Sequence, residues 1–207
     1  MIDTKDRILD AAERLFADQG YAATSLRHVI AEAQVNLAAV HYHFGSKEEL
    51  LDHVIARRMG PVNEGRLAML DRLEAEFGDR PAPLPRLLEA FLMPAGQLAI
   101  HHPDSIRIMG RMHFEGLMQR IRERHFKVTG ERFLAAMRKA LPDLPEEEFY
   151  WRMHFMIGAM GLAMIGAPAF YTAASDDWPS RVARLVAFLS GGFNAPVSAA
   201  DSVEVGK

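Results

Sequence analysis

The side chains with the clearest chemical potential lie between Thr24 and Lys47. Thr24, Ser25 and Ser46 offer hydroxyls, Lys47 an ammonium group, Asn36 an amide, His41 and His43 imidazoles and Tyr42 a phenol, with Leu37 and Ala38 as a small apolar platform among them. Hydroxyls and ammonium groups at helix N-termini suit phosphate oxygens, because free N–H groups and the helix dipole already favour an anion there. A flat, small side chain beside hydrogen-bonding ones suits base edges in the major groove of DNA. On chemistry alone the same face also fits a solvated three-helix bundle, an all-helical enzyme or a protein-interaction module in which the pattern arises by chance.

Other chemistry lacks a carrier. Nine histidines include His41/His43, His101/His102, His113, His125 and His154, but none falls in His-Glu-x-x-His and no Glu-x-x-His pair occurs. Gly-x-Gly-x-x-Gly, phosphate-cradling loops and the Gly-x-Ser-x-Gly elbow are missing as well. With no cysteine there is no disulfide, thiolate nucleophile or cysteine zinc site, which agrees with a reducing cytoplasm. The reading is therefore a non-enzyme without metal or cofactor.

The elements that must position the first group are short helices. Ile8, Leu9, Ala12, Leu15 and Phe16 share one face of a helix from about Lys5 to Asp18, with Gly20 at the place of a left-handed C-terminal cap. Thr24 or Ser25 caps a second helix with Leu26, Val29, Ile30 and Ala33 inward, and Asn36 caps a third, Leu37 to His43. So short a helix is unstable alone and must be held by its neighbours. Val35, Val40 and Phe44 face inward for this purpose, leaving Leu37, Ala38, His41 and Tyr42 outside. Ser46-Lys47-Glu48-Glu49 reads as a capping box opening a fourth helix that stops near Gly60-Pro61.

Prolines punctuate the remainder into helices near 62–77, 86–101, 104–140 (broken), 146–166 and 180–191, so the fold class is all-α. Eleven of twelve methionines lie at or after Met59, placing a boundary near 58–61. The expected organisation is a DNA-binding domain over 1–58, a ligand-binding and dimerisation domain over 59–194, and a disordered tail over 195–207. The N-terminus has no apolar run of the kind a secretion signal needs. From Phe155 to Ser175 no charge occurs, yet Gly158, Gly161, Gly166 and Pro168 and the polar run Thr172 to Ser175 favour a buried helix contact over a membrane span. Net charge is −3 for the chain and −2 over residues 1–58, where seven basic side chains meet nine acidic ones. Any nucleic-acid binding must therefore use a local patch.

Tyr21-Ala22-Ala23-Thr24-Ser25-Leu26-Arg27-His28-Val29-Ile30-Ala31-Glu32-Ala33, then Val35-Asn36, then Tyr42-His43-Phe44-Gly45-Ser46-Lys47-Glu48-Glu49-Leu50-Leu51 resembles the TetR family of transcriptional repressors. The resemblance covers about residues 5 to 55. It implies a helix-turn-helix with the Leu37–His43 helix as recognition element, an all-helical dimerising C-terminal domain, and release from a palindromic operator by a small-molecule inducer. The chain departs from the pattern twice. Gln34 stands where many members have glycine, which strains or rewinds the turn. The phosphate-binding tyrosine of many members falls at His41, so the resemblance gives that role to either His41 or Tyr42. The segment from Val35 to Lys47 is similar to a PsrA-like, fatty-acid-responsive branch.

In the second region Met93, Met109, Met112, Met118, Met153, Met156, Met160 and Met164 join Phe91, Phe114, Trp151, Phe155 and Tyr171 on helices that the resemblance places around a ligand cavity. Methionine is flexible and polarizable and suits a pliable apolar guest, although each one alone equally suits an ordinary core. Arg107, Arg111, His113 and Arg152 are interleaved at helical spacing, and Arg111 is the candidate for an acidic head group. The homodimer is expected to pair the helix near 149–166, through Gly158 and Gly161, with the helix near 180–191, through Leu185, Phe188 and Leu189.

Overall fold

The computed structural model describes residues 3–165 and 177–197, without the side chains of His113, Phe114 and Ile165. All regular structure among these residues is helical, in agreement with the sequence pattern. Helix α1 (Thr4–Gln19) buries Ile8, Leu9, Ala12 and Phe16, and Leu15 is half-buried at the edge of the same face. It ends at Gly20, whose φ of +87° is one that L side chains rarely adopt; a Cβ there would also run into the Glu115 carboxylate.

Helices α2 (Leu26–Ala33) and α3 (Leu37–Phe44) follow as a tight pair. Val29, Ala33, Val40 and Phe44 are buried, and the Phe44 ring meets the His53 ring edge-on at 5.3 Å. A helix of eight residues thus persists because one side is clamped against the next helix.

Helix α4 (Lys47–Phe77) corrects the expected stop at Gly60-Pro61: it runs through Pro61 for 31 residues. The proline forfeits one intrahelical bond. Buried side chains on both sides of it, Val54, Ile55 and Met59 before, Val62, Leu70 and Leu73 after, hold the axis together. The two regions of the chain therefore share one helix.

Beyond Gly78 come α5 (Leu84–Leu92), a 3-10 turn (Met93–Ala95), α6 (Gly96–His101), α7 (Pro103–Phe114), α8 (Met118–Ile121), a π turn (Arg122–Phe126), α9 (Lys127–Ala140), α10 (Glu146–Ile165) and α11 (Trp178–Asn194). Pro94 lacks the N–H that would continue α5, which accounts for the 3-10 turn at that point. Asp177 caps α11 by accepting from Ser180 N–H at 2.9 Å, and Trp178 Nε1 donates to the Met93 carbonyl at 3.0 Å.

No helix among the described residues is long and apolar enough to cross a membrane. Helix α10 instead turns Arg152, Met156 and Met164 into the protein. Gly166, Pro168, Tyr171 and Thr172 to Ser175, like residues 198–207 of the expected tail, lie outside the described residues. The first part of that tail is tied down: Arg152 donates to the carbonyls of Ala195 at 2.9 Å and Pro196 at 3.4 Å.

Candidate nucleic-acid interface

Helix α3 presents Leu37, Ala38, His41 and Tyr42 outward, and Tyr42 is 85% exposed. Asn36 starts the helix by accepting from Ala39 N–H at 2.8 Å, which leaves its amide N–H groups at the surface. His41 Nδ1–H donates to the Gly45 carbonyl at 2.9 Å, which leaves the second ring nitrogen of this exposed residue without a partner in the helix. That bond ties the imidazole to the end of α3, whereas the Tyr42 hydroxyl stands clear. His43 is half-buried with its ring 5.1 Å from that of Tyr42.

The helix starts beside α3 are ordered by short-range caps. Ser25 Oγ accepts from His28 N–H at 3.2 Å while His28 Nδ1 accepts from Ser25 N–H at 3.4 Å, a box with histidine in the usual Glu position. Ser46 Oγ accepts from Glu49 N–H at 3.1 Å, but Ser46 N–H donates to the Phe44 carbonyl, and the Glu49 carboxylate holds Arg124 instead of closing the expected box. The Ser25 hydroxyl keeps a hydrogen to donate, whereas the Ser46 hydroxyl also faces the Glu48 carboxylate, which the Glu48 backbone N–H, the Tyr21 hydroxyl and this serine hold below the ordinary range. Thr24 does not join them, a correction to its reading as a phosphate contact. It is 1% exposed, donates to the Gly20 carbonyl at 2.7 Å and accepts from Gln19 Nε2 at 3.2 Å.

Two contributors escaped the sequence pattern. Tyr21 lies beside Phe16, its hydroxyl donates to Glu48 at 3.0 Å, and Lys47 Nζ sits 4.1 Å above its ring. The cation–π contact aims the lysine and leaves its N–H donors available. Burial and the neighbouring Glu48 carboxylate push the Tyr21 phenol up to about 12, so it stays a neutral donor. Arg7, from α1, donates to the carbonyls of Ala33 at 2.6 Å and Gln34 at 2.9 Å and thereby braces the turn. Gln34 has φ 52° and ψ 49°, the left-handed conformation that glycine adopts more cheaply.

The acidic balance of residues 1–58 is offset from elsewhere in the chain. Asp52, almost fully buried, accepts from Arg120 at 2.7 Å and Arg124 at 2.8 Å and faces His125 at 3.1 Å. Arg107 lies 3.4 Å from Asp18, and Arg111 donates to the Asp18 carbonyl at 2.8 Å. In the opposite sense, Glu115 accepts from the N–H groups of Tyr21 at 3.2 Å and Ala22 at 3.1 Å. Glu13 is a buried node at this joint, held by Arg57 at 2.6 Å, Arg58 at 2.8 Å and Ser105 at 2.6 Å. Burial alone would raise its carboxyl, but the bonds from Arg58, Ser105 and Arg57 prevail and hold it below the ordinary range.

Several residues expected around a ligand or a partner copy stand elsewhere. Arg111 grips the end of α1, Arg107 pairs with Asp104 at 2.5 Å, and Arg152 pairs with Glu148 at 2.6 Å and donates to the Phe193 carbonyl at 2.8 Å. None of the three therefore waits for a head group; each is engaged by a local carbonyl or carboxylate. Met112 and Met156 are fully buried in the core, with Met93, Met109, Met118 and Met160 half-buried against it. Trp151 and Phe155 point out, 52% and 61% exposed, which removes them from any internal cavity; the side chain of Phe114 lies outside the description. The space beside Met109 and Ile108 measures about 10 Å³, room for no more than a water. Leu185 and Leu189 face inward, correcting their assignment to a dimer surface, while Phe188 is exposed and Gly158 and Gly161 have open space above them.

The geometry defines a helix-turn-helix unit whose second helix is free on one side and flanked by capped helix starts. Comparison with known proteins gives the family. Residues 8–54 match the model described as bacterial regulatory proteins, tetR family, and residues 89–192 that of the tetracyclin repressor-like C-terminal domain. The chain is 32% identical to the HTH-type transcriptional repressor Rv3405c of Mycobacterium tuberculosis over 151 residues, 70% of each chain. It is 36% identical to the probable HTH-type transcriptional regulator YttP of Bacillus subtilis over 55 residues, 27% of each. A putative tetR family transcription regulator from Shewanella sp. PV-4 shares the fold with a TM-score of 0.62 at 18% identity, over 93% of this chain and 96% of that one. The chain belongs to the TetR family, whose members are transcriptional regulators, generally ligand-responsive repressors, and not enzymes.

Proposed function

We propose that the protein is a homodimeric repressor that binds a palindromic operator through two copies of α3 and leaves it when a small apolar or amphipathic molecule enters the region beyond residue 58. The observation that carries this is the free outer face of α3 between capped helix starts. Leu37, Ala38 and His41 read base edges. Tyr42, Ser25, Ser46 and Lys47 hold phosphates, and Tyr42 rather than His41 takes the tyrosine role because the His41 ring is tied to Gly45. Asn36 and His43 support this face from its two ends.

The second copy packs on the outer stripe of α10, where Trp151, Phe155, Gly158 and Leu162 recur at helical spacing, beside Phe188 of α11. A two-fold pair of this kind sets the recognition helices about 34–36 Å apart, one turn of DNA. The half-buried methionines Met93, Met109, Met118 and Met160 supply the pliable lining that an inducer displaces, and a fatty acid or acyl thioester is the guest the finer resemblance implies.

Selection from a pool of random duplexes by the full-length protein tests the reading. Enrichment of a palindrome with half-sites one helical turn apart is expected; sequence-independent retention contradicts it.

A further inference from the structure

We infer that Arg66 anchors the head of the effector, and that the effector is an organic monocarboxylate with an apolar body, seated where α4, α5 and α10 meet. The inference rests on the ligand-responsive reading above and gives the chemical class of its ligand.

Two arginines are buried among the described residues, Arg152 and Arg66. Arg152 is matched by Glu148. Arg66, 2% exposed, has no carboxylate within ion-pair distance among the described residues. Its Nε donates to the Phe91 carbonyl at 2.8 Å, one terminal nitrogen to Asn63 Oδ1 at 3.3 Å, and the other reaches Met160 Sδ at 3.6 Å, a weak acceptor. The guanidinium lies 3.9 Å from the centre of the Phe91 ring. These contacts use only part of its donor capacity. Burial pulls its pKa down to about 10, so at neutral pH a full positive charge remains in this apolar setting.

A buried cation without a counter-ion is costly, and an arriving carboxylate removes that cost through paired N–H···O bonds in a low-dielectric site. One guanidinium balances one negative charge. A dianionic phosphate would leave the second buried and unpaired, which favours a monocarboxylate. Phe91 and the flexible Met160 thioether offer the apolar body its contacts. An open groove of about 370 Å³ lies on the neighbouring face of α4, between Gly65, Ala68, Met69 and Arg72 and the turn residues Met93 and Pro94; Arg66 is not part of its lining.

The position also couples to the DNA-facing part. Asn63, which touches Arg66, donates to the His125 carbonyl at 2.8 Å, and it is His125, Arg124 and Arg120 that grip Asp52. A head group drawing Arg66 away from Asn63 acts on the amide that ties α4 to the π turn.

The test uses the full-length protein, its selected operator and three probes, octanoate, decanoate and 4-phenylbutanoate, each beside its primary amide. At least one acid is expected to raise Tm and to release operator at a concentration tenfold or more below that of its amide. Arg66→Met, which also removes the contact to Asn63, is expected to lose that gap as read by Tm, and Arg66→Lys to retain part of it. Equal potency of acids and amides, no acid binding, or a wild-type gap in Arg66→Met overturns the inference. If Arg66→Met does not fold, the acid–amide comparison on the wild-type protein still decides. Failure to bind any operator without ligand removes the repressor reading itself, whereas operator binding released only by neutral compounds removes Arg66 alone.

Discussion

The α2–α3 unit and the helices beyond α4 both arrange helices around a core, but by contacts of opposite range. Within α2–α3 most end groups are settled three or four positions away, Ser25 with His28, Asn36 with Ala39, His41 with Gly45 and Ser46 with Glu49, while Arg7 reaches the end of α2 from α1. Beyond α4 the deciding bonds join distant segments: Arg66 with Phe91, Trp178 with Met93, Arg152 with Phe193. A locally capped unit keeps its shape when it meets DNA. In the proposed repressor, it is the region held by long-range contacts to carbonyls that rearranges around the inducer.

The comparison breaks most visibly at the outer stripe. If α10 and α11 meet a second copy, Phe188→Glu buries an unpaired carboxylate on each side of the two-fold axis, at several kcal/mol per dimer. Sedimentation should then show monomers at concentrations where the wild-type chain is dimeric, with operator binding lost and α2–α3 still folded. An unaltered dimer would put the interface elsewhere.

The joint between the two regions comes next. Glu13→Ala leaves Arg57 and Arg58 side by side without their shared carboxylate, costing about 3 kcal/mol, measurable by urea unfolding. Because the folded state holds the Glu13 carboxyl below its usual value of 4.5, its contribution is complete above that pH and disappears as pH falls through the folded value. The variant should therefore lose less stability than the wild type on acidification below that point; parallel acid curves would show that Glu13 contributes nothing through its charge.

Asn36→Ala tests local control directly. It removes the cap of α3 and should cost about 1 kcal/mol in thermal unfolding, with a matching loss of operator affinity. No change would mean that packing of Val40 and Phe44 alone fixes the helix. The smallest effect is expected at the turn. Gln34→Gly relieves about 1 kcal/mol of left-handed strain but loosens the unfolded chain by a similar amount, so Tm should move little. A loss well beyond that would give the Gln34 side chain a role of its own.

How much could be read from residue order follows the same division. Asn36, Ser25 and Ser46 announce their helices because a cap involves only neighbours, and the exposed face of α3 follows from where Val40 and Phe44 must go. Gln34 marks its own turn as unusual. Pro61 misled because its local penalty is overruled by packing along a helix of 31 residues, which no window around Gly60-Pro61 contains. Thr24 has the same hydroxyl as Ser25, and only the fold of Gly20 over it shows that it is buried. Arg111 and Arg66 look alike in sequence; one lies against the end of α1 and the other inside the helical region, a difference made by tertiary placement. The net charge of −2 over residues 1–58 overstated acidity because Arg120 and Arg124, far along the chain, neutralise Asp52.

The most direct test of the central claim is operator affinity measured across salt concentration and across point variants of the selected operator, for wild type, Lys47→Ala and Ala38→Gln. Lys47→Ala should weaken binding about equally on every sequence and lower the salt slope by roughly one, while Ala38→Gln should reorder the sequences with the slope unchanged. Affinity, slope and rank order that all stay at wild-type values in both variants would show that α3 and the start of α4 are not the surface that meets DNA.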